Sequence, residues 1–133
     1  MRLRVSSIAV LIGLGAVGSA WAGPCQAPAP AVGDELHGPV LHVLDGRRLC
    51  IALGATPDRW VEVTLAQKGL TRASASTPRP RGALMAAAFG QNVTCKVVGR
   101  DGGTALAACM LDGQSVDRLA DQAHASQDGQ LWR

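Results

Sequence analysis

Along residues 59–66 apolar and polar side chains alternate without a break, Val61, Val63 and Leu65 against Trp60, Glu62 and Thr64. Successive side chains of a strand point to opposite faces, so this period predicts a strand with Val61, Val63 and Leu65 inward. Residues 48–53 carry the same pattern, Leu49, Ile51 and Leu53 on one face and Cys50 and Ala52 on the other. Residues 39–44 form a third short apolar run. Asp45-Gly46 and the Gly- and Pro-containing stretch 54–58 are turns. The first half therefore predicts a three-stranded meander.

Residues 92–111 predict a β-hairpin. With Asp101-Gly102-Gly103 as a three-residue loop, Arg100 faces Thr104, Gly99 faces Ala105, Val97 faces Ala107 and Cys95 faces Cys109. Two cysteines thus meet across the strands, on the face that carries Val93 and Val97. Between meander and hairpin, residues 67–81 are polar with three arginines, and 82–90 predict a short alanine-rich helix. That helix offers Leu84, Met85, Ala88 and Phe89 to the core. After Asp112-Gly113, Ser115 is a suitable N-cap for a last helix marked by Val116, Leu119, Ala120 and Ala123, with 126–133 frayed. Five strands with a helix between the third and fourth is the order of a five-stranded OB-type barrel, mainly β with two helices.

Composition adds the compartment. Arg2 and Arg4 precede a Ser/Gly-broken apolar run, and Ala20-Trp21-Ala22 closes it. This is the three-part pattern of a secretory signal peptide over residues 1–22. The expected mature chain keeps all ten Asp/Glu and eleven of the thirteen Lys/Arg, so its net charge is +1 rather than +3. Strong non-specific attraction to nucleic acid is not expected at that balance. Residues 23–37 are a Pro/Ala-rich leader, 38–124 the single folded domain and 125–133 a tail. Only Trp60, Phe89 and Trp132 are aromatic in the mature chain. A core built from smaller residues buries less area, which makes disulfides useful. With Cys95–Cys109 assigned, Cys25 and Cys50 remain as the second pair. A free Cys25, or a bridge from it to another chain, stays open.

Several segments together resemble the staphylococcal-nuclease-like (thermonuclease) family over residues 38–123. They are Val43-Leu44-Asp45-Gly46, similar to the family's V-x-D-G-D-T opening, the V-x-L-A of residues 63–66, the 93–101 run VTCKVVGRD, Cys109, and Leu111-Asp112-Gly113 before the last helix. The resemblance implies an OB-fold and calcium-dependent phosphodiester hydrolysis. In that chemistry acidic oxygens hold the cation, a glutamate activates water and two arginines stabilise the phosphoryl charge. This chain departs from the pattern at each site. Arg47 stands for the metal-ligand aspartate, and Thr64 for the arginine of V-R-L. Residues 67–72, which include Arg72, replace the I-D-x-P-E stretch, and Thr104 stands for the second arginine. The resemblance therefore implies no catalytic residues, no cofactor and no metal.

The remaining candidates are basic. Arg47, Arg48, Arg72, Arg79 and Arg81 are possible anion contacts, sufficient at most for weak nucleic-acid or anion binding. His37 and His42, an odd spacing apart, fall on opposite faces of a regular strand and do not predict a metal site. His124, near a helix C-terminus, reads as a favourable contact with the helix dipole. Two classes of function follow: a non-catalytic exported scaffold or binding module with an unknown partner, or an active phosphodiester-hydrolysing enzyme with a displaced site.

Overall fold

The computed structural model describes residues 23–66 and 79–130. Residues 1–22, expected from the sequence to be a signal peptide, residues 67–78 with Arg72, and the last three residues lie outside that description. Strand β1 (Glu35–Val43) pairs antiparallel with β2 (Arg48–Ala52) and with β4 (Asn92–Asp101). Strand β3 (Trp60–Leu65) pairs with β2, and β5 (Thr104–Leu111) with β4. A parallel pairing of β3 with β5, Val63 beside Ala105 and Leu65 beside Ala107, closes the ring. The result is a five-stranded OB-type barrel. A two-residue strand β6 (Gln114–Ser115) folds back on β5. Helices α1 (Arg81–Ala88) and α2 (Val116–Gln130) complete the domain. No helix among the described residues is long and apolar enough to cross a membrane.

The interior is aliphatic. Val40, Val43, Leu49, Ile51, Val63 and Leu65 are all but fully buried, and so are Val93 and Val97. Leu84 and Ala88 of α1 and Val116 and Ala120 of α2 join the same core. At roughly 1.5–3 kcal/mol for each fully buried Val or Leu side chain, this burial supplies the main driving force, with no fully buried aromatic ring among the described residues.

Two disulfides staple it, Cys95–Cys109 across β4 and β5 and Cys25–Cys50 from the N-terminal segment to β2. Their Cα–Cα separations are 4.0 Å and 5.7 Å. Two disulfides suit an oxidising compartment. Cys50 lies on the outer face of β2, yet it is buried along with Leu49, Ile51 and Ala52. The N-terminal segment provides part of that cover. The Gln26 and Ala27 amides donate to the Pro57 and Trp60 carbonyls, both at 3.0 Å, and the Gly33 amide donates to Val97 at 2.8 Å.

The alternation along β3 is present as expected, but five local expectations are corrected. The strand expected over 39–44 begins at Glu35, inside the expected leader, because β4 offers Val93, Cys95 and Lys96 as partners there. Leu53, expected inward, is outside β2 and 41% exposed. Phe89, expected in the core, is 49% exposed at the end of α1, and Ala83 is buried instead. Thr64 points outward but is buried, since barrel closure sets Arg48 on one side of it and Leu106 on the other. The final helix does not fray at Ser126 but runs to Gln130, so His124 is interior to it and not at its end.

The hairpin also differs at its tip. Asp101 pairs with Thr104, leaving a two-residue loop in which Gly102 takes φ 61°, as the first position of a type II′ turn requires. Arg100 then faces Ala105 and Gly99 faces Leu106, one step from the expected register. A bulge between Val97 and Gly99 absorbs the step, so Val97 faces Ala107 and Cys95 faces Cys109. Bulges sharpen local twist, and that helps a small barrel to close.

Candidate functional site

The site that the sequence singles out is built on the turn from β1 to β2. Asp45 follows β1 and folds its carboxylate back on the chain. Oδ1 accepts the backbone N–H groups of Arg47 and Arg48, each at 2.8 Å. Such side-chain turns are why Asp precedes Gly at tight reversals. Oδ2 accepts Arg48 Nε at 2.6 Å, and Arg48 Nη1 reaches Glu62 of β3 at 3.3 Å. Burial alone would raise the Asp45 carboxyl pKa. The Arg47 amide, the Arg48 guanidinium and the Arg48 amide outweigh it and hold the pKa below the usual carboxylate value. Hydrogen bonding to Asp45 raises Arg48 in turn. Both oxygens of Asp45 are therefore engaged by N–H donors.

Arg47 occupies the space beside it. Its carbonyl accepts the Leu65 amide at 2.8 Å, and its Nη2 approaches the Leu65 carbonyl at 3.4 Å. Its Nε is buried without a hydrogen-bond partner among the described residues. A guanidinium thus stands between the turn and the end of β3. No group of three or more His, Cys, Asp and Glu side chains that could hold a metal gathers among the described residues.

The other arginines are mostly spent on the fold. Arg79 is buried. Its Nε donates to the Gly46 carbonyl at 2.9 Å, Nη2 meets Asp117 Oδ1 at 2.9 Å and Nη1 meets Asp121 Oδ1 at 2.8 Å. It ties the β1–β2 turn to the first turn of α2, and all three of its guanidinium nitrogens are engaged. Arg81 gives its Nε to the Val43 carbonyl at 2.6 Å, and Arg48 is paired with two carboxylates. Of the described arginines singled out from the sequence, Arg47 alone has neither a carboxylate nor a hydrogen bond shorter than 3.4 Å on its side chain. The sequence reading missed the Arg79 clamp. Asp117 and Asp121, four apart on one helix face, were the available signal.

Thr64 and Thr104 lie on one outer side of the barrel, since Thr64 registers with Leu106, two residues beyond Thr104. His37 and His42 turn out to share the outer face, contrary to the odd-spacing expectation, because a bulge between Val40 and His42 shifts the parity of β1. His37 Nδ1 lies 2.9 Å from the Thr94 hydroxyl. Trp60, the one aromatic expected to face outward from the sheet, is half-buried, and its indole N–H donates to the Gly54 carbonyl at 3.1 Å.

No protein-family model matches the chain, and no curated protein matches it. Among solved structures it is similar to the extended Tudor domain of human TDRD1, crystallised in complex with a symmetrically dimethylated peptide. Identity is 15%, the match covers 77% of this chain and 68% of that one, and the TM-score is 0.38. At that level the likeness bears on neither ligand nor activity.

Proposed function

We propose that this chain is an exported, non-catalytic barrel of the thermonuclease-like type, used as a scaffold or binding module. The observation that carries the reading is the state of Asp45, whose two oxygens are taken by Arg47 and Arg48 N–H groups with a guanidinium alongside. A hard cation needs free oxygen ligands and negative potential, and this turn offers neither. The two disulfides support residence in an oxidising compartment.

The test is incubation of the purified exported protein with single- and double-stranded DNA and RNA, with calcium and with chelator. No calcium-dependent cleavage is expected. Cleavage that disappears in an Asp45→Ala variant would overturn the reading and make the Asp45 turn a cation site.

A further inference from the structure

A groove of about 480 Å³ opens between α1, α2 and the β5–β6 turn. Ala86, Ala87 and Ala123 line it with Leu111 and Leu119. Three alanines on the facing sides of two helices leave a hollow that none of the described side chains fills. Its polar lining is uncharged except for one residue. Gln91, Gln114 and Gln122 present side-chain amides, Asp112 adds a carboxylate, and the Ser126 hydroxyl is already committed to the Gln122 carbonyl at 2.9 Å. The three glutamines and Asp112 are exposed.

The lining decides what fits. A phosphate needs donors and positive charge, and among the described residues that line this groove there is no cation. A metal ion needs several anionic oxygens, and among those same residues Asp112 is the one carboxylate. Amide groups offer donor and acceptor together, which matches the alternating N–H and C=O of a peptide main chain. The alanines, with Leu111 and Leu119, give the groove an apolar floor for a side chain, and Asp112 favours a neighbouring cation. We propose that this groove binds a peptide segment of a partner protein, one carrying an apolar side chain of leucine size beside a lysine or arginine. The proposal rests on the binding-module reading and names its surface, yet it can fail without any change in the outcome of the nuclease assay.

The experiment is an NMR titration of the ¹⁵N-labelled exported protein with an acetylated, amidated leucine–lysine tetrapeptide. Controls are the leucine–glutamate analogue and inorganic phosphate. Saturable shifts at Ala87, Leu119 and Gln122 amides are expected with the lysine peptide and smaller ones with its analogue. Ala86→Leu fills the hollow from an exposed helix position and should abolish the shifts while leaving the spectrum otherwise folded. Asp112→Asn keeps the turn, because Asn tolerates the left-handed φ of 49° found there, and should weaken lysine-peptide binding about two- to fivefold. Absence of shifts overturns the proposal. So do shifts that survive Ala86→Leu, equal affinity for the glutamate analogue, displacement by phosphate, or self-association through the same residues.

Discussion

Arg79 and Gly46 meet twice. The Arg79 Nε donates to the Gly46 carbonyl at 2.9 Å, and the Arg79 carbonyl oxygen stands where a Cβ on Gly46 would be. The backbone of the β1–β2 turn and the chain just before α1 are in contact so close that only glycine fits. Gly46→Ala should therefore destabilise by about 3 kcal/mol, at the upper end of overpacking costs. Urea unfolding measures it, and an unchanged midpoint would mean that the turn moves aside freely.

The Arg79 side chain is 4% exposed, Asp117 18% and Asp121 69%. Arg79→Met should cost about 2–3 kcal/mol, less than a fully buried pair because Asp121 can return to water. Asp121→Asn should change stability by under about 1 kcal/mol. Equal effects from the two variants would place the clamp's energy in the exposed pair and contradict this ordering.

The Asp45 carboxyl is held below its ordinary value in the folded chain. A depressed carboxyl contributes stability above the unfolded pKa, near about 3.9, and that contribution disappears as pH falls through the lower folded value. The stability difference between the native protein and Asp45→Asn should be constant from neutral pH down to about 5 and shrink in more acid solution. Denaturation at a series of pH values reads it. A difference that grows as the pH drops would reverse the sign argued here.

Non-reducing peptide mapping should recover Cys95–Cys109 and Cys25–Cys50. The sequence separations are 14 and 25 residues, for which chain entropy gives about 3 and about 3.5 kcal/mol. Replacing Cys95 and Cys109 by Ala should nevertheless cost more than replacing Cys25 and Cys50, because Cys95 and Cys109 also fill the barrel core. Thermal unfolding of the two double variants compares them directly.

Oligonucleotide binding should be weak and lost at physiological salt. Single strands are held by stacking on successive exposed aromatics along a basic groove. Here Trp60 is half-buried and hydrogen-bonded, Phe89 is a lone exposed ring among the described residues at the end of α1, and Arg48 and Arg79 are paired. Fluorescence anisotropy with labelled single-stranded DNA should show a dissociation constant no tighter than about 10⁻⁴ M at roughly 0.15 M salt. Tighter binding would point to residues 67–78 as the contact.

Alternation and spacing by themselves determined the inward face of β3 and the facing of Cys95 and Cys109. They also carried the order of strands and helices that makes an OB-type barrel. These are relations between residues two apart on a strand or close across one turn, and the period of the chain holds them. What lay between elements was not legible. Asp101-Gly102-Gly103 permits both a two- and a three-residue loop, and only the closed barrel, with its bulge after Val97, selects the first while keeping the cysteines opposed. The same applies to β1, where a bulge after Val40 brings His37 and His42 to one face. Arg79 reads as a loop cation until folding brings Gly46, Asp117 and Asp121 around it from 33 to 42 residues away. Burial and pairing at such distances depend on which surfaces the closed barrel brings into contact; the spacing of Asp117 and Asp121 marks a shared helix face but not the arginine that meets it.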